Sequence, residues 1–276
     1  MQGLPIARLL REDIARRIRE GGLAPVLNVL LVGDDPASEV YAASKIKVAE
    51  PLGIKVNLTI LGAGSGPDEI LAVLSNWNDD PDVHGILVEM PLPGHLDKNL
   101  VLAAINPNKD VDGAHPLNRG YLLDGLEERA LVPATPLACV TLLQHYNIPL
   151  KGKRVTLVGR GETVGRPLAS MLIKRDATVT VCHSKTVDLA LHCRQAEILI
   201  VAAGAPKLVS ADMVTPGAVV LDAGINPAGE GICGDVDPAV ARVAAYLSPV
   251  PGGVGSLTTT IIMATTQRVA ARGKAP

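Results

Sequence analysis

The chain contains no phenylalanine and a single tryptophan, Trp77, so aromatic residues make up only 2% of its 276 positions. An interior without aromatic rings must be closed with Leu, Ile, Val and Ala, which suits parallel sheets buried on both faces. Cysteine is scarce as well. Cys139, Cys182, Cys193 and Cys233 show neither C-x-x-C nor zinc-ligand spacing, which argues against a disulfide framework and for reduced thiols in a cytosolic protein. No charge sign dominates: 26 basic against 28 acidic residues leave a net −2, and no global field draws in nucleic acid or an anionic membrane. The longest apolar runs, Leu27–Val32 and Ile198–Ala203, are strand-length and too short to span a bilayer. Met1 is followed by neither an apolar signal core nor an Arg/Ser-rich transit segment, so a cytoplasmic location is expected. Internal repeats and low-complexity segments are also lacking.

What is present is a length that exceeds one ordinary core, so two domains are expected, and an alternation of strand-like and helix-like segments that argues for α/β architecture. In the first half, Val26–Val32, Lys55–Ile60 and Gly85–Val88 read as strands. Ala37–Leu52, Pro67–Asn76 and Asp97–Ala104 read as helices, the last with Asp97 as N-cap. The five arginines between Arg8 and Arg19 are mixed with Glu12, Asp13 and Glu20. Ile6, Leu10, Ile14 and Ile18 recur every four residues among them, so the charges read as the wet face of an amphipathic helix. From Asn106 to Pro136 turn-forming residues dominate, as expected of an inter-domain region or an active-site loop. Thr135 is expected to cap a helix with Pro136 at its first position. The second half reads as strands Arg154–Val158, Thr178–Cys182, Ile198–Ala202 and Ala218–Asp222, with helices Arg166–Lys174 and Leu257–Ala271.

Between the first strand and helix of the second half lies Val158-Gly159-Arg160-Gly161-Glu162-Thr163-Val164-Gly165. This G-x-G-x-x-x-G is one residue longer than the usual dinucleotide fingerprint. Its glycines would let the backbone approach a diphosphate, and the helix N-terminus would offer free N–H groups and a positive dipole. Glycine-rich turns also join strands that bind nothing; the strand–turn–helix setting favours a nucleotide. Where the next strand ends, at His183-Ser184-Lys185-Thr186, no acid is present to take a ribose 2′-hydroxyl. Ser184, Lys185 and Arg160 suit a 2′-phosphate instead, so NADP is favoured over NAD. His183 and Cys182 read as strand-end packing.

Four further stretches, in order, carry a likeness. They are Val32-Gly33-Asp34-Asp35-Pro36-Ala37-Ser38 leading to Tyr41 and Lys45, Gly85–Pro93 (GILVEMPLP), Lys109–Pro116 (KDVDGAHP) and Pro249–Thr258 (PVPGGVGSLT). With the glycine-rich segment and Gly234-Asp235-Val236, the chain resembles the methylenetetrahydrofolate dehydrogenase/cyclohydrolase family over nearly its whole length. The resemblance implies two α/β domains with a cleft between them: a folate-binding catalytic domain at 1–135, onto which a C-terminal helix 257–276 packs back, and a Rossmann-type NADP domain at 136–256. It implies oxidation of 5,10-methylenetetrahydrofolate with NADP, then hydrolysis to 10-formyltetrahydrofolate, in one-carbon metabolism and purine biosynthesis, by a homodimer that needs no metal.

Residue by residue, the resemblance assigns Tyr41, Lys45, Glu89 and Asp112 to catalysis. Tyr41, Lys45, Asp112, Pro251, Gly252 and Gly253 are assigned to the folate substrate. Gly159, Arg160, Gly161, Thr163, Val164, Gly165, Ser184, Lys185 and Ile225 are assigned to NADP. Tyr41 and Lys45, at i and i+4, would share one helix face, although such spacing alone describes an ordinary surface pair. An aspartate such as Asp112 can accept two parallel hydrogen bonds from an amino-pyrimidine edge, although Asp110 and Asp112 alone would pass for turn formers.

The chain departs from the family pattern at Glu89 (commonly Gln), Ala134 (commonly Cys), Gly161 (commonly Ser), Ala114 (commonly aromatic) and Ser256 (commonly Pro). Glu89 would place a charge beside Lys45, which leaves a monofunctional dehydrogenase with weak cyclohydrolase as an alternative. A short-chain dehydrogenase is disfavoured because its Tyr-x-x-x-Lys pair follows the Rossmann glycines, whereas here it precedes them. A non-catalytic NADP-binding protein is disfavoured by the retention of Tyr41, Lys45 and Asp112.

Overall fold

A computed structural model describes residues 1–33, 44–229 and 231–273. The chain divides into two compact units. One unit comprises Leu9–Tyr121, Glu128–Val132 and Thr259–Pro276; the other comprises Met1–Arg8, Leu122–Glu127 and Pro133–Thr258.

In the first of these, β1 (Val26–Val32) pairs in parallel with β2 (Lys55–Leu61) on one side and β3 (Gly85–Val88) on the other. β1 reads VLNVLLV and is buried from its second residue onward, as a central strand covered on both faces requires. The helix Pro67–Asp79 lays Ile70 and Leu74 on this sheet. The helix Lys98–Ala103 adds Val101 and Leu102, and Asp97 caps it by accepting from the Asn99 N–H at 2.8 Å. The N-terminal helix Leu4–Glu20 buries Ile6, Ile14 and Ile18. Arg16 and Arg17 face water in ion pairs, Arg16 with Asp13 and Glu20, and Arg17 with Asp13 at 2.7 Å.

The second unit holds a five-stranded parallel sheet of β4 (Arg154–Val158), β5 (Thr178–Cys182), β6 (Ile198–Val201), β7 (Val219–Asp222) and β10 (Tyr246–Leu247), in the order β10-β7-β6-β4-β5. A hairpin of β8 (Asn226–Ala228) and β9 (Gly231–Cys233) follows β7. From β4 the chain steps outward to β5 and then crosses to β6 on the other side. The crevice at this reversal, outside the carboxyl ends of the strands, is where doubly wound folds bind ligands. The core of both units is aliphatic, with the free thiols Cys139, Cys182 and Cys193 buried in it.

Three expectations differ. The stretch 106–136, expected to be loop, contains a helix at Pro116–Leu123 and a 3₁₀ turn at Glu127–Arg129, and the chain changes unit within it. Thr135 does not cap the next helix, which runs Ala134–His145 after Pro133 with no side-chain cap; its hydroxyl lies 3.3 Å from that of Thr258 instead. The short helix Leu189–Arg194, β10 and the β8–β9 hairpin were not expected at all. Of the helix expected at Ala37–Leu52, residues 44–49 are helical and Glu50–Leu52 form a 3₁₀ turn, while 37–43 lie outside the described residues.

Candidate active site

In the first unit, polar groups gather at the carboxyl ends of the parallel strands. Glu89 immediately follows β3, its N–H held by the Leu30 carbonyl of β1 at 2.8 Å. Lys45 stands on the helical residues 44–49 after β1, and it is almost wholly buried, 1% exposed. Its Nζ donates to Glu89 Oε1 at 2.6 Å, both partners being buried. Asp112 acts on the same ammonium electrostatically.

The route that brings Asp112 there runs alongside β3. The Ile86 N–H donates to the Lys109 carbonyl at 2.7 Å, and Ile86 bridges Asp110 in parallel. Two residues further on, Asp112 therefore emerges level with the end of β3. Asp110 is the turn former of the two: it is buried and accepts from the Ala114 and His115 N–H groups and from Asn118 Nδ2 at 2.8–3.0 Å. Burial pushes its carboxyl above the usual range, against those three hydrogen bonds.

Lys45 carries opposing influences. Burial drives its ammonium below the ordinary lysine value, and Glu89 and then Asp112 pull the other way. A carboxylate beside a lysine does raise its pKa, but here withdrawal from water is the larger effect and the net direction is down. The arrangement is a buried amine that can hold or release a proton beside an acceptor. Tyr41 lies outside the described residues.

In the second unit the glycine-rich turn leaves β4 and enters the helix Gly165–Ile173. Gly159 adopts φ +121°, and a Cβ there would fall 2.1 Å from the Ala202 carbonyl oxygen. A Cβ at Gly165 would fall 2.3 Å from the Gly159 carbonyl oxygen. Both positions therefore require glycine, whereas a Cβ at Gly161 meets nothing within 4 Å. Nothing in the turn itself requires glycine at position 161.

The turn is tied to the neighbouring strand by Gly159 N–H donating to the Cys182 carbonyl at 2.8 Å. Arg160 is thus at the same sheet end as Ser184 and Lys185, and all three are exposed. Thr163 is exposed and Val164 half-buried at the mouth of the helix. His183 and Thr186 close the turn after β5: His183 Nδ1 accepts from Lys185 N–H, and Thr186 Oγ1 from His183 N–H. An exposed guanidinium, an ammonium and a hydroxyl at this strand end, with no carboxylate among residues 183–186, suit a phosphate dianion. The close backbone approach at Gly159 and Gly165 leaves room for a diphosphate against the helix N-terminus. The residues present fit NADP.

Across the strand reversal, Ile225 follows β7 and is about half exposed at 52%. Pro251-Gly252-Gly253 form a turn whose Gly252 carbonyl accepts from the Gly3 N–H at 2.8 Å. Ser256 Oγ donates to the Gly253 carbonyl at 2.6 Å, a contact that a proline could not make. Among the described residues no group of His, Cys, Asp and Glu could hold a metal ion, and no helix is long and apolar enough to cross a membrane.

Comparison with known proteins decides the family. Residues 1–112 match the tetrahydrofolate dehydrogenase/cyclohydrolase catalytic domain, and residues 133–274 match the NAD(P)-binding domain of the same family. The chain belongs to the tetrahydrofolate dehydrogenase/cyclohydrolase family. It is 54% identical over 267 residues to bifunctional protein FolD 2 of Desulfitobacterium hafniense, covering 95% of this chain and 93% of that protein. The bifunctional FolD methylenetetrahydrofolate dehydrogenase/cyclohydrolase of Campylobacter jejuni matches with a TM-score of 0.95 at 43% identity, covering 98% of both chains. The N5,N10-methylenetetrahydrofolate dehydrogenase-cyclohydrolase of Trypanosoma brucei, solved with NADP cofactor and an inhibitor, matches with a TM-score of 0.93 at 34% identity over 100% of this chain and 98% of that one. In the family's terms, Lys45, Glu89 and Asp112 lie in the catalytic-domain match, and the glycine-rich turn with Ser184 and Lys185 in the NAD(P)-binding match.

Two buried carboxylates escaped the sequence reading. Asp222 ends β7 and Asp235 follows β9, and both are saturated with backbone N–H donors. The only signal was Gly234-Asp235-Val236, noted as part of the likeness but given no role.

Proposed function

We propose that this protein is an NADP-dependent methylenetetrahydrofolate dehydrogenase that also hydrolyses its methenyl product to 10-formyltetrahydrofolate. The observation that carries the reading is the buried Lys45 amine, 2.6 Å from a carboxylate, in a chain that matches both domains of the family. NADP, when bound, supplies the hydride acceptor. Its binding is assigned to Gly159, Gly161, Thr163, Val164, Gly165 and Ile225, with Arg160, Ser184 and Lys185 on the 2′-phosphate. Residues 136–256 form the cofactor half; residues 1–135 with the returning helix 257–276 form the folate half.

On the folate side Asp112 binds the pterin through paired hydrogen bonds, and Pro251, Gly252 and Gly253 contribute to substrate binding. Loss of hydride from the methylene carbon is assisted by the substrate's own nitrogen lone pairs, so this step needs no protein base and rests on positioning. Water then adds to the methenyl carbon, loses a proton, and a carbon–nitrogen bond opens. Lys45, with Tyr41 nearby in sequence, handles that proton, and Glu89 sets how readily Nζ gives it up. Relatives named as bifunctional at 48–54% identity favour this reading over a dehydrogenase without hydrolysis.

The formyl product places the enzyme in one-carbon supply for purine biosynthesis. A cytoplasmic setting fits four free thiols, and the family likeness favours a homodimer. Lys45→Met tests the assignment. Methenyl hydrolysis should fall by about a hundredfold or more while NADPH formation persists. Equal loss of both steps in a folded variant would refute the role of Lys45.

A further inference from the structure

The wall of the nucleotide crevice opposite the glycine-rich turn is built on a single carboxylate. Asp235 is fully buried. Its Oδ2 accepts from the Ala203 N–H at 2.6 Å and the Gly204 N–H at 2.9 Å, and its Oδ1 from the Ala205 N–H at 2.9 Å and from Asn226 Nδ2 at 2.8 Å. Three consecutive N–H groups of the loop after β6 thus converge on one side chain, and every partner is a donor, which only an acceptor-only carboxylate satisfies. This loop begins at Ala202, whose carbonyl is the atom a Cβ on Gly159 would strike, so it forms the far side of the crevice.

A second carboxylate holds the first. Asp222 accepts from the Gly224 and Asp235 N–H groups through Oδ1 at 2.9 and 3.0 Å, and from the Val236 N–H through Oδ2 at 3.0 Å. Its own N–H donates to Ser248 Oγ at 2.8 Å. The fit is close enough to dictate the neighbouring sequence. A Cβ on Gly224 would lie 2.2 Å from the Asp235 carboxyl carbon, and a Cβ on Gly234 would lie 1.8 Å from Asp222 Oδ2. Between Gly224, held by Asp222, and Asn226, held by Asp235, stands the half-exposed Ile225.

We propose that Asp235, supported by Asp222, is a positioning residue for the cofactor: it fixes the 203–205 loop and Ile225 as the surface that receives the half of the dinucleotide beyond the strand reversal. The reading rests on the NADP assignment above. A dinucleotide spans the crevice on both sides of the reversal. Arg160, Ser184 and Lys185 stand on the β4–β5 side, and the surface held by Asp235 stands on the β6–β7 side. The two halves of the cofactor therefore depend on different residues.

Asp235→Asn tests this. The amide keeps the size but turns an NH₂ toward N–H donors, leaving buried donors unpaired. Calorimetric titration with NADP and with adenosine 2′,5′-bisphosphate, a fragment confined to the β4–β5 side, reads the two halves separately. The dissociation constant for NADP should rise by about tenfold or more, and that for the bisphosphate should stay as in the unaltered protein. Asn226→Ala removes a single arm of the same cradle and should give a smaller loss in the same pattern, so the test survives if Asp235→Asn does not fold. Equal weakening of both ligands in folded variants, or no change in either, overturns the inference while leaving NADP binding intact. Failure of the unaltered protein to bind either ligand overturns the inference together with the cofactor assignment.

Discussion

Glu89→Gln isolates the effect of one charge on the hydrolytic step. Glutamine keeps the size of the side chain and an oxygen that can accept from Lys45 Nζ, so the 2.6 Å contact survives while the negative charge is lost. Two unit charges 4 Å apart attract by about 4 kcal/mol at an effective dielectric of about 20. A hydrogen bond from the ammonium to the amide oxygen restores about 1.5–3 kcal/mol of this. The remaining difference of about 1–2.5 kcal/mol favours the neutral amine by roughly five- to seventyfold.

The direction follows from the forces on Lys45. Burial depresses its pKa and Glu89 is the main opposing influence, so removing the charge lets burial act further and the pKa falls. With Glu89 in place the lysine keeps its proton to higher pH than it would without that charge, and hydrolysis that needs the free amine is held down until the proton is lost. The variant's hydrolysis of methenyltetrahydrofolate should therefore rise at lower pH, roughly five- to seventyfold faster wherever both amines still hold their proton, with the two proteins converging in alkali, where both amines are neutral. Hydride transfer needs no base and should be unaffected throughout. Spectrophotometric assays of NADPH formation and of methenyl loss, run separately from neutral to alkaline pH, read both effects. A ratio of hydrolysis to NADPH formation that is the same in both proteins across that range would refute the reasoning.

Arg160→Ala removes a guanidinium that can pair with a phosphate dianion, so the Michaelis constant for NADP should rise much more than that for NAD; equal rises would show that Arg160 does not read the 2′-phosphate. Gly165→Ala forces a Cβ to within 2.3 Å of the Gly159 carbonyl oxygen, and should lose NADP binding and about 1–3 kcal/mol of stability, read by titration and thermal melting. Gly161→Ala points its methyl clear of the protein and should keep stability; a Gly161 variant that melts as early as the Gly165 variant would contradict the description of the turn.

The strands were legible because they are short, mostly aliphatic runs: Leu27–Val32, interrupted only by Asn28, and Ile198–Val201 are strand-length and far too short for a bilayer. The glycine-rich turn was legible because its glycines lie between a strand and a helix, and Lys45, Glu89 and Asp112 because their motifs occur in order. Short-range pattern carried no sign of β10, two residues long, which forms only by adding to the edge of β7. Thr135 misled because a threonine before a proline looks like a cap, and only the fold brings Thr258 to its hydroxyl. Asp235 was opaque for a similar reason: its donors lie 30–32 residues away in Ala203–Ala205, and an aspartate after a glycine reads as a turn until the loop it collects is in place. The net direction at Lys45 also required the structure, because sequence supplies the neighbouring charge but not the depth of burial.

The central claim is that one chain carries out two successive steps on a reduced folate. The purified protein, mixed with 5,10-methylenetetrahydrofolate and NADP, should produce NADPH with a methenyl species that accumulates and then decays to 10-formyltetrahydrofolate, each followed by its own absorbance. Supplied methenyltetrahydrofolate alone should be hydrolysed faster than in buffer. Formation of neither NADPH nor methenyltetrahydrofolate under these conditions, with NADP bound, would contradict the account.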